Sequence, residues 1–104
     1  MSFPGHNKVY LSAQAETDIE DILHYTYQTY GEDQEGKYYK ILCDALDLIE
    51  SNPFAGHKRP DLSERHRSLT AGRHVIVYQV SEQEIFVSRI LHSRMDFIKQ
   101  LPGE

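Results

Sequence analysis

Two arginine–histidine pairs in the second half of the chain are able to do chemistry: Arg73-His74 in "TAGRHVIVYQV", and His92 with Arg94 in "RILHSRMDF". Arginine is a permanent cation with a planar fork of donors suited to a carboxylate or a phosphate, and histidine is the side chain that titrates nearest neutrality. Brought together, the four could bind a phosphate, or act as acid, base and charge stabiliser in cleaving RNA. The same residues would serve equally well as hydrophilic side chains at the open end of a sheet, with Arg94 paired to Asp96 or to acids of an earlier helix. Spacing alone does not separate these readings.

Other chemistries find less support. The six histidines, at 6, 24, 57, 66, 74 and 92, include no pair four residues apart on a helix, no H-E-x-x-H occurs, and Cys43 stands alone. Neither a metal nor a cofactor is expected, and the lone cysteine rules out an internal disulfide. "TAGRH" and "FAGHK" hold single glycines and cannot form a phosphate cradle of the P-loop kind, and neither Ser88 nor Ser93 sits in a nucleophile-elbow motif.

A chain of 104 residues, 39% apolar with seven Tyr and four Phe, is expected to form one domain over 1–104 with a single modest core. No stretch near the N-terminus is apolar enough for a signal peptide, and the later run at 75–78 is far too short to span a bilayer. The expectation is a cytoplasmic protein with no membrane contact. Charge is unevenly placed: residues 1–52 carry ten acids and three bases, residues 53–104 six acids and eight bases, and all six arginines fall in the second part. With a net charge of −5 the chain is a poor generic binder of nucleic acid, which requires a basic field.

The elements that must position the arginines and histidines follow from pattern. A short strand is expected near residues 8–11. Ser12 then caps a helix whose Ile19, Ile22, Leu23 and Tyr30 recur at helical steps, with Tyr27 alongside, and Gly31 ends it. A second helix over about 33–51 carries Tyr38, Ile41, Leu42, Ala45, Leu46, Leu48 and Ile49 as a broad apolar stripe, and Asn52-Pro53 stops it. The two make an antiparallel helical hairpin, with Glu16, Asp18, Glu20, Asp21, Asp44, Asp47 and Glu50 mostly on outer, solvated faces.

Residues 53–65 read as a loop. "HRSLTA", "HVIVYQV" and "IFVSRILH" then form an antiparallel three-strand meander, turning at Gly72 and at Glu82-Gln83. A two-residue loop at 82–83 sets Val80 against Ile85, Tyr78 against Val87 and Arg73 against His92. A short helix is expected at 95–101. The fold class is thus α+β: an N-terminal strand and a helical hairpin packed on one face of an antiparallel sheet.

Taken in order, "SAQAETDIEDILHYTYQTYG", "NPFAGHKRPDLSERHRSLTAGRHVIVYQV" and "IFVSRILHSRMD" resemble the ParE branch of the RelE/ParE toxin superfamily, over nearly the whole chain from about residue 8 to 101. The resemblance implies a type II toxin, of the kind linked to plasmid stabilisation, neutralised by a small ParD-like antitoxin. Such an antitoxin binds DNA with one half and wraps the toxin with the other, so that DNA is contacted only through it. ParE-like members poison DNA gyrase by binding, without enzymatic activity. RelE-like members are ribosome-dependent endoribonucleases that use Lys, Arg and often Tyr, or a Glu/His set, on the sheet and at the C-terminus.

This chain departs from the RelE pattern. Tyr78 is its last tyrosine and Lys99 its sole lysine after Lys58. The expectation is therefore a non-catalytic gyrase inhibitor that meets its target or antitoxin through Arg67, Arg73, His74, Arg89, His92, Arg94, Met95 and Asp96. An mRNA interferase using Arg73, His92 and Arg94 stays open as the alternative, as does a toxin that binds its antitoxin but has lost its target.

Overall fold

The computed structural model describes residues 8–82 and 84–94. Strand β1 (Lys8–Leu11) leads into helix α1 (Ala13–Tyr30), which is followed by α2 (Glu32–Ser51) and four further strands: β2 (His57–Lys58), β3 (His66–Ala71), β4 (His74–Val80) and β5 (Glu84–His92). The expected helix at 95–101 lies outside the described residues.

Ser12 joins the first two elements. Its extended backbone closes β1, and its Oγ accepts the Ala15 N–H at 2.9 Å, satisfying one of the free donors at the start of α1. The same hydroxyl donates to the Ser88 carbonyl at 2.7 Å, and the Ser12 N–H donates to the Val87 carbonyl at 3.0 Å. At the other end of α1, Gly31 has φ 97°, a conformation that a side chain would strain. Its N–H closes α1 onto the Tyr27 carbonyl, and its own carbonyl accepts the Glu35 N–H to open α2. One residue is thus the whole link of the hairpin, and Glu32, Asp33 and Glu35 complement the dipole of the helix that follows.

The hairpin packs on a five-stranded sheet of order β1-β5-β4-β3-β2. The core joins Val9, Leu11, Ala15 and Ile22 to Leu42, Leu46 and Ile49 of α2 and to Ile76, Tyr78, Ile85, Val87 and Ile90 of the sheet. Val75, Val77 and Leu91 alternate with these and are buried as well, so the sheet centre is enclosed on both faces. The apolar stripes foreseen on the helices are narrower than the sequence suggests: Tyr27, Tyr30, Ile41 and Leu48 are exposed. Tyr78 is fully buried, and its hydroxyl donates to the Pro53 carbonyl and accepts the Gly56 N–H, anchoring the loop after α2.

Four further details differ from expectation. The sheet is mixed, because β1 runs parallel to β5, with Val9 beside Ile85 and Leu11 beside Val87. Parallel neighbours need a long crossover, and the helical hairpin begins it. The stretch 53–65 contains the two-residue strand β2, paired with β3 through His57–Ser68 and Lys58–Arg67. Asp18 and Glu50 are not on solvated faces: the Asp18 side chain is only 12% exposed and Glu50 is buried.

The fourth difference concerns register. Val80–Ile85 and Tyr78–Val87 pair as foreseen, but a β-bulge between Val77 and Tyr78 of β4 leaves Ser88 as an extra residue on β5. Beyond it Val77 faces Arg89, and His74 rather than Arg73 faces His92. The Ser88 carbonyl, freed from the regular ladder, is the one that Ser12 binds.

Candidate functional site

The bulge brings the two histidines onto directly opposed positions at one end of the sheet. The β3–β4 turn that carries Arg73 and His74 needs Gly72 twice over. Its φ is 63°, as the first loop position of a tight hairpin requires, and a Cβ there would meet the Tyr38 hydroxyl oxygen at 2.6 Å. Tyr38 reaches up from α2 into this turn. Its Oη accepts the Arg73 N–H at 2.9 Å, lies 2.6 Å from His74 Nδ1 and 3.2 Å from the Ala71 carbonyl.

The His74 ring is packed edge to face against Tyr38 on one side and His92 on the other, with centroids 5.5 and 5.4 Å apart. His92 Nδ1 accepts the Arg94 N–H at 3.2 Å, and the Ser93 N–H donates to the Arg73 carbonyl. These side chains form the floor of a cleft of about 570 Å³ whose other wall is the helical hairpin, with Asp21, Tyr25 and Gln34 along it.

The electrostatics follow from this packing. Burial pushes the His74 imidazole below its ordinary value, a charge on His92 pushes the same way, and Asp18 opposes both. Burial raises the Tyr38 phenol, against the Arg73 N–H and the Arg73 cation, so it stays protonated at neutral pH. Arg73 is exposed on the rim.

Of the other expected site residues, Arg67 lies at the far end of β3. Its guanidinium stacks 4.8 Å over the Phe54 ring and donates to the Gly56 carbonyl at 2.7 Å, bracing the loop after α2. It lines a separate, broader groove with Lys58, Arg65 and Glu84. Arg89 is turned inward: it makes a two-pronged ion pair with Asp18 at 2.8 and 3.0 Å, and Asp18 also accepts the Ile90 N–H at 2.9 Å. The acid of the first helix considered as a partner for Arg94 is bound instead to Arg89. Arg94 is exposed beside His92, while Met95 and Asp96 lie outside the described residues.

The structure therefore gathers Arg73, His74, His92 and Arg94 and separates them from Arg67 and Arg89. Two participants were missed in the sequence. Periodicity places Tyr38 only in an apolar stripe, because its alignment with a glycine turn is invisible without the tertiary fold. Asp18 reads as solvated in the sequence because its partner is 71 positions away in the chain. Among the described residues no three of His, Cys, Asp or Glu come together as a metal site would require, and no helix is long and apolar enough to cross a membrane.

Comparison with known proteins agrees with this architecture. Residues 9–97 match the model of a family described as ParE toxin of type II toxin–antitoxin system, parDE. A relative in Mycobacterium tuberculosis, Toxin ParE1, is 37% identical over 92 residues, 88% of this chain and 94% of the relative. Toxin ParE1 of Caulobacter vibrioides is 30% identical over 86 residues, 83% of this chain and 88% of the relative. Among solved structures, the chromosomal ParDE system of P. aeruginosa superposes with a TM-score of 0.71 at 18% identity, over 83% of this chain and 95% of that one. The YoeB dimer of Staphylococcus aureus gives 0.61 at 20% identity, over 85% and 98%. At such identities these two likenesses speak for the fold alone.

Proposed function

The chain belongs to the ParE toxin family of type II toxin–antitoxin systems, and from that premise we propose that it inhibits DNA gyrase by binding and is silenced by a cognate ParD-like antitoxin. On this reading the toxin acts in the cytoplasm, makes and breaks no covalent bond, and meets DNA only through the antitoxin. The observation that carries it is the cleft under Arg73, in which the titratable groups are tied to their neighbours. Tyr38 is engaged by the turn and by His74, and His92 Nδ1 is engaged by Arg94. Asp21 on the facing wall, and a net charge of −5, are unfavourable to a negatively charged RNA backbone.

One observation favours the mRNA interferase as a second reading: the directly opposed His74 and His92 beside Arg73 have the composition of an acid–base site. The two readings part in vitro. Purified protein added to a supercoiling reaction is expected to block gyrase or trap its cleaved complex, and to leave mRNA intact on programmed ribosomes. Cleavage of mRNA at defined codon positions, abolished by His92→Ala, would instead establish the interferase.

A further inference from the structure

We infer that the cleft at the β3–β4 turn is a receptor for one carboxylate on an acidic peptide segment of a protein partner, gripped by Arg73 and the Nε2–H groups of His74 and His92, with proton uptake on binding. The inference deepens the binding function proposed above and rests on it only for the identity of the partner.

The donors follow from hydrogen-bond bookkeeping. Tyr38 Oη receives the Arg73 N–H at 2.9 Å and has two acceptors in reach of its own hydrogen, His74 Nδ1 at 2.6 Å and the Ala71 carbonyl at 3.2 Å, and we assign the hydrogen to the nearer. A neutral imidazole that accepts at Nδ1 carries its hydrogen on Nε2. His92 accepts the Arg94 N–H at Nδ1, which fixes the same tautomer. Two Nε2–H groups and the Arg73 guanidinium are thereby left as donors, and among the described residues none of the three has a hydrogen-bond or ion-pair partner. All three residues line the cleft.

The remaining wall selects the ligand. It is largely apolar and aromatic, with Ile22 and the exposed rings of Tyr25 and Tyr30, which suits an Asp or Glu flanked by aliphatic residues. Asp21 shares the cleft and the chain is acidic overall, so a polyanion meets repulsion where a single carboxylate is balanced by Arg73.

Proton coupling comes from what surrounds His74. It is faced by Asp18 and Asp21 of α1, Tyr38 of α2, Arg73 of the turn, and His92 of β5 with Arg94 beyond. An incoming carboxylate favours the charged imidazole. Tyr38 accommodates that change without a lost bond, because its hydroxyl hydrogen can swing from Nδ1 to the Ala71 carbonyl, leaving Oη to accept from Nδ1–H.

The test is an NMR titration of the full-length labelled chain at pH 6 and pH 8 with acetyl-Leu-Glu-Leu-amide, its Gln counterpart and hexathymidylate. The Glu peptide is expected to shift the His74 and His92 ring signals, to raise the titration midpoint of His74, and to bind roughly fivefold or more tightly at pH 6. The Gln peptide should leave both rings unmoved, and Arg73→Gln should abolish binding while Arg65→Gln does not. Equal response to Glu and Gln, no response to either, or a preference for hexathymidylate would overturn the carboxylate assignment; equal affinity at both pH values would overturn the proton coupling. Since the readout is peptide binding by the isolated chain, it is independent of whether gyrase is inhibited.

Discussion

Tyr38 is the residue on which the geometry of the cleft turns, because one hydroxyl ties α2 to a backbone N–H and to an imidazole on the β3–β4 turn. Tyr38→Phe keeps the ring and strands both partners, at an expected cost of about 1–3 kcal/mol measured by urea unfolding. Gly72→Ala should cost more, on the order of 3 kcal/mol, since the new methyl must adopt positive φ and displace the Tyr38 ring as well as its hydroxyl. His74 adds a pH dependence of definite sign. Its folded value is held below the ordinary imidazole value of about 6.5, chiefly by burial, so in mild acid the unfolded chain binds the proton and the native state does not. Stability should be unaffected by this group above about pH 6.5, fall as the pH drops below it, and level off below the folded value. Urea midpoints between pH 7 and 5 should fall less steeply in His74→Gln; identical slopes would show that His74 is not the group responsible.

At the scale of elements, the hold of α1 on β5 depends on Asp18. Its carboxylate binds the Arg89 guanidinium and the Ile90 N–H on the stretch of β5 beyond β1, where none of the described strands pairs on that side. Both side chains are mostly buried, at 12% and 16% exposed, so Asp18→Ala removes the carboxylate that neutralises a largely buried cation and takes the acceptor from the Ile90 N–H, and should cost about 3–5 kcal/mol. Ile90→Ala, in the core directly beneath, should cost about 2–5 kcal/mol. Thermal melts of both variants check this, and a near-neutral Asp18→Ala would mean that the pair contributes nothing net.

Why these features escaped the sequence while others did not is a matter of range. Helix caps at Ser12 and Gly31 and the Gly72 turn are local, and their residues state them. The Ser88 carbonyl at the bulge is bound by a serine 76 positions away, and the Asp18–Arg89 pair spans 71. A one-residue bulge then sufficed to replace Arg73 by His74 opposite His92, which no alternation of apolar residues could reveal.

For the molecule as a whole, the excess of arginine in the second half overstates the charge available to a partner. Arg89 is consumed by Asp18, Arg59 by Asp61, and Arg67 by Phe54 and two backbone carbonyls. That leaves Arg65 in the far groove, Arg73 at the cleft and Arg94 beside His92 as the arginines without a hydrogen bond from the side chain or an ion pair among the described residues. An antitoxin that meets this surface through acidic and aliphatic residues should therefore show a modest salt dependence, set by about three exposed charges of roughly 0.2–1 kcal/mol each rather than by six. Calorimetry with the cognate antitoxin should find affinity falling about tenfold between 50 and 500 mM salt. The double variant Arg73→Gln with Arg94→Gln should lose most of that slope while keeping the fold, and Arg59→Gln should leave it unchanged because its charge is already neutralised by Asp61. A flat salt response in the unaltered protein would make the arginines bystanders and assign the affinity to apolar contact, to which the exposed Tyr25, Tyr30 and Tyr39 of the helical hairpin would then be the first candidates.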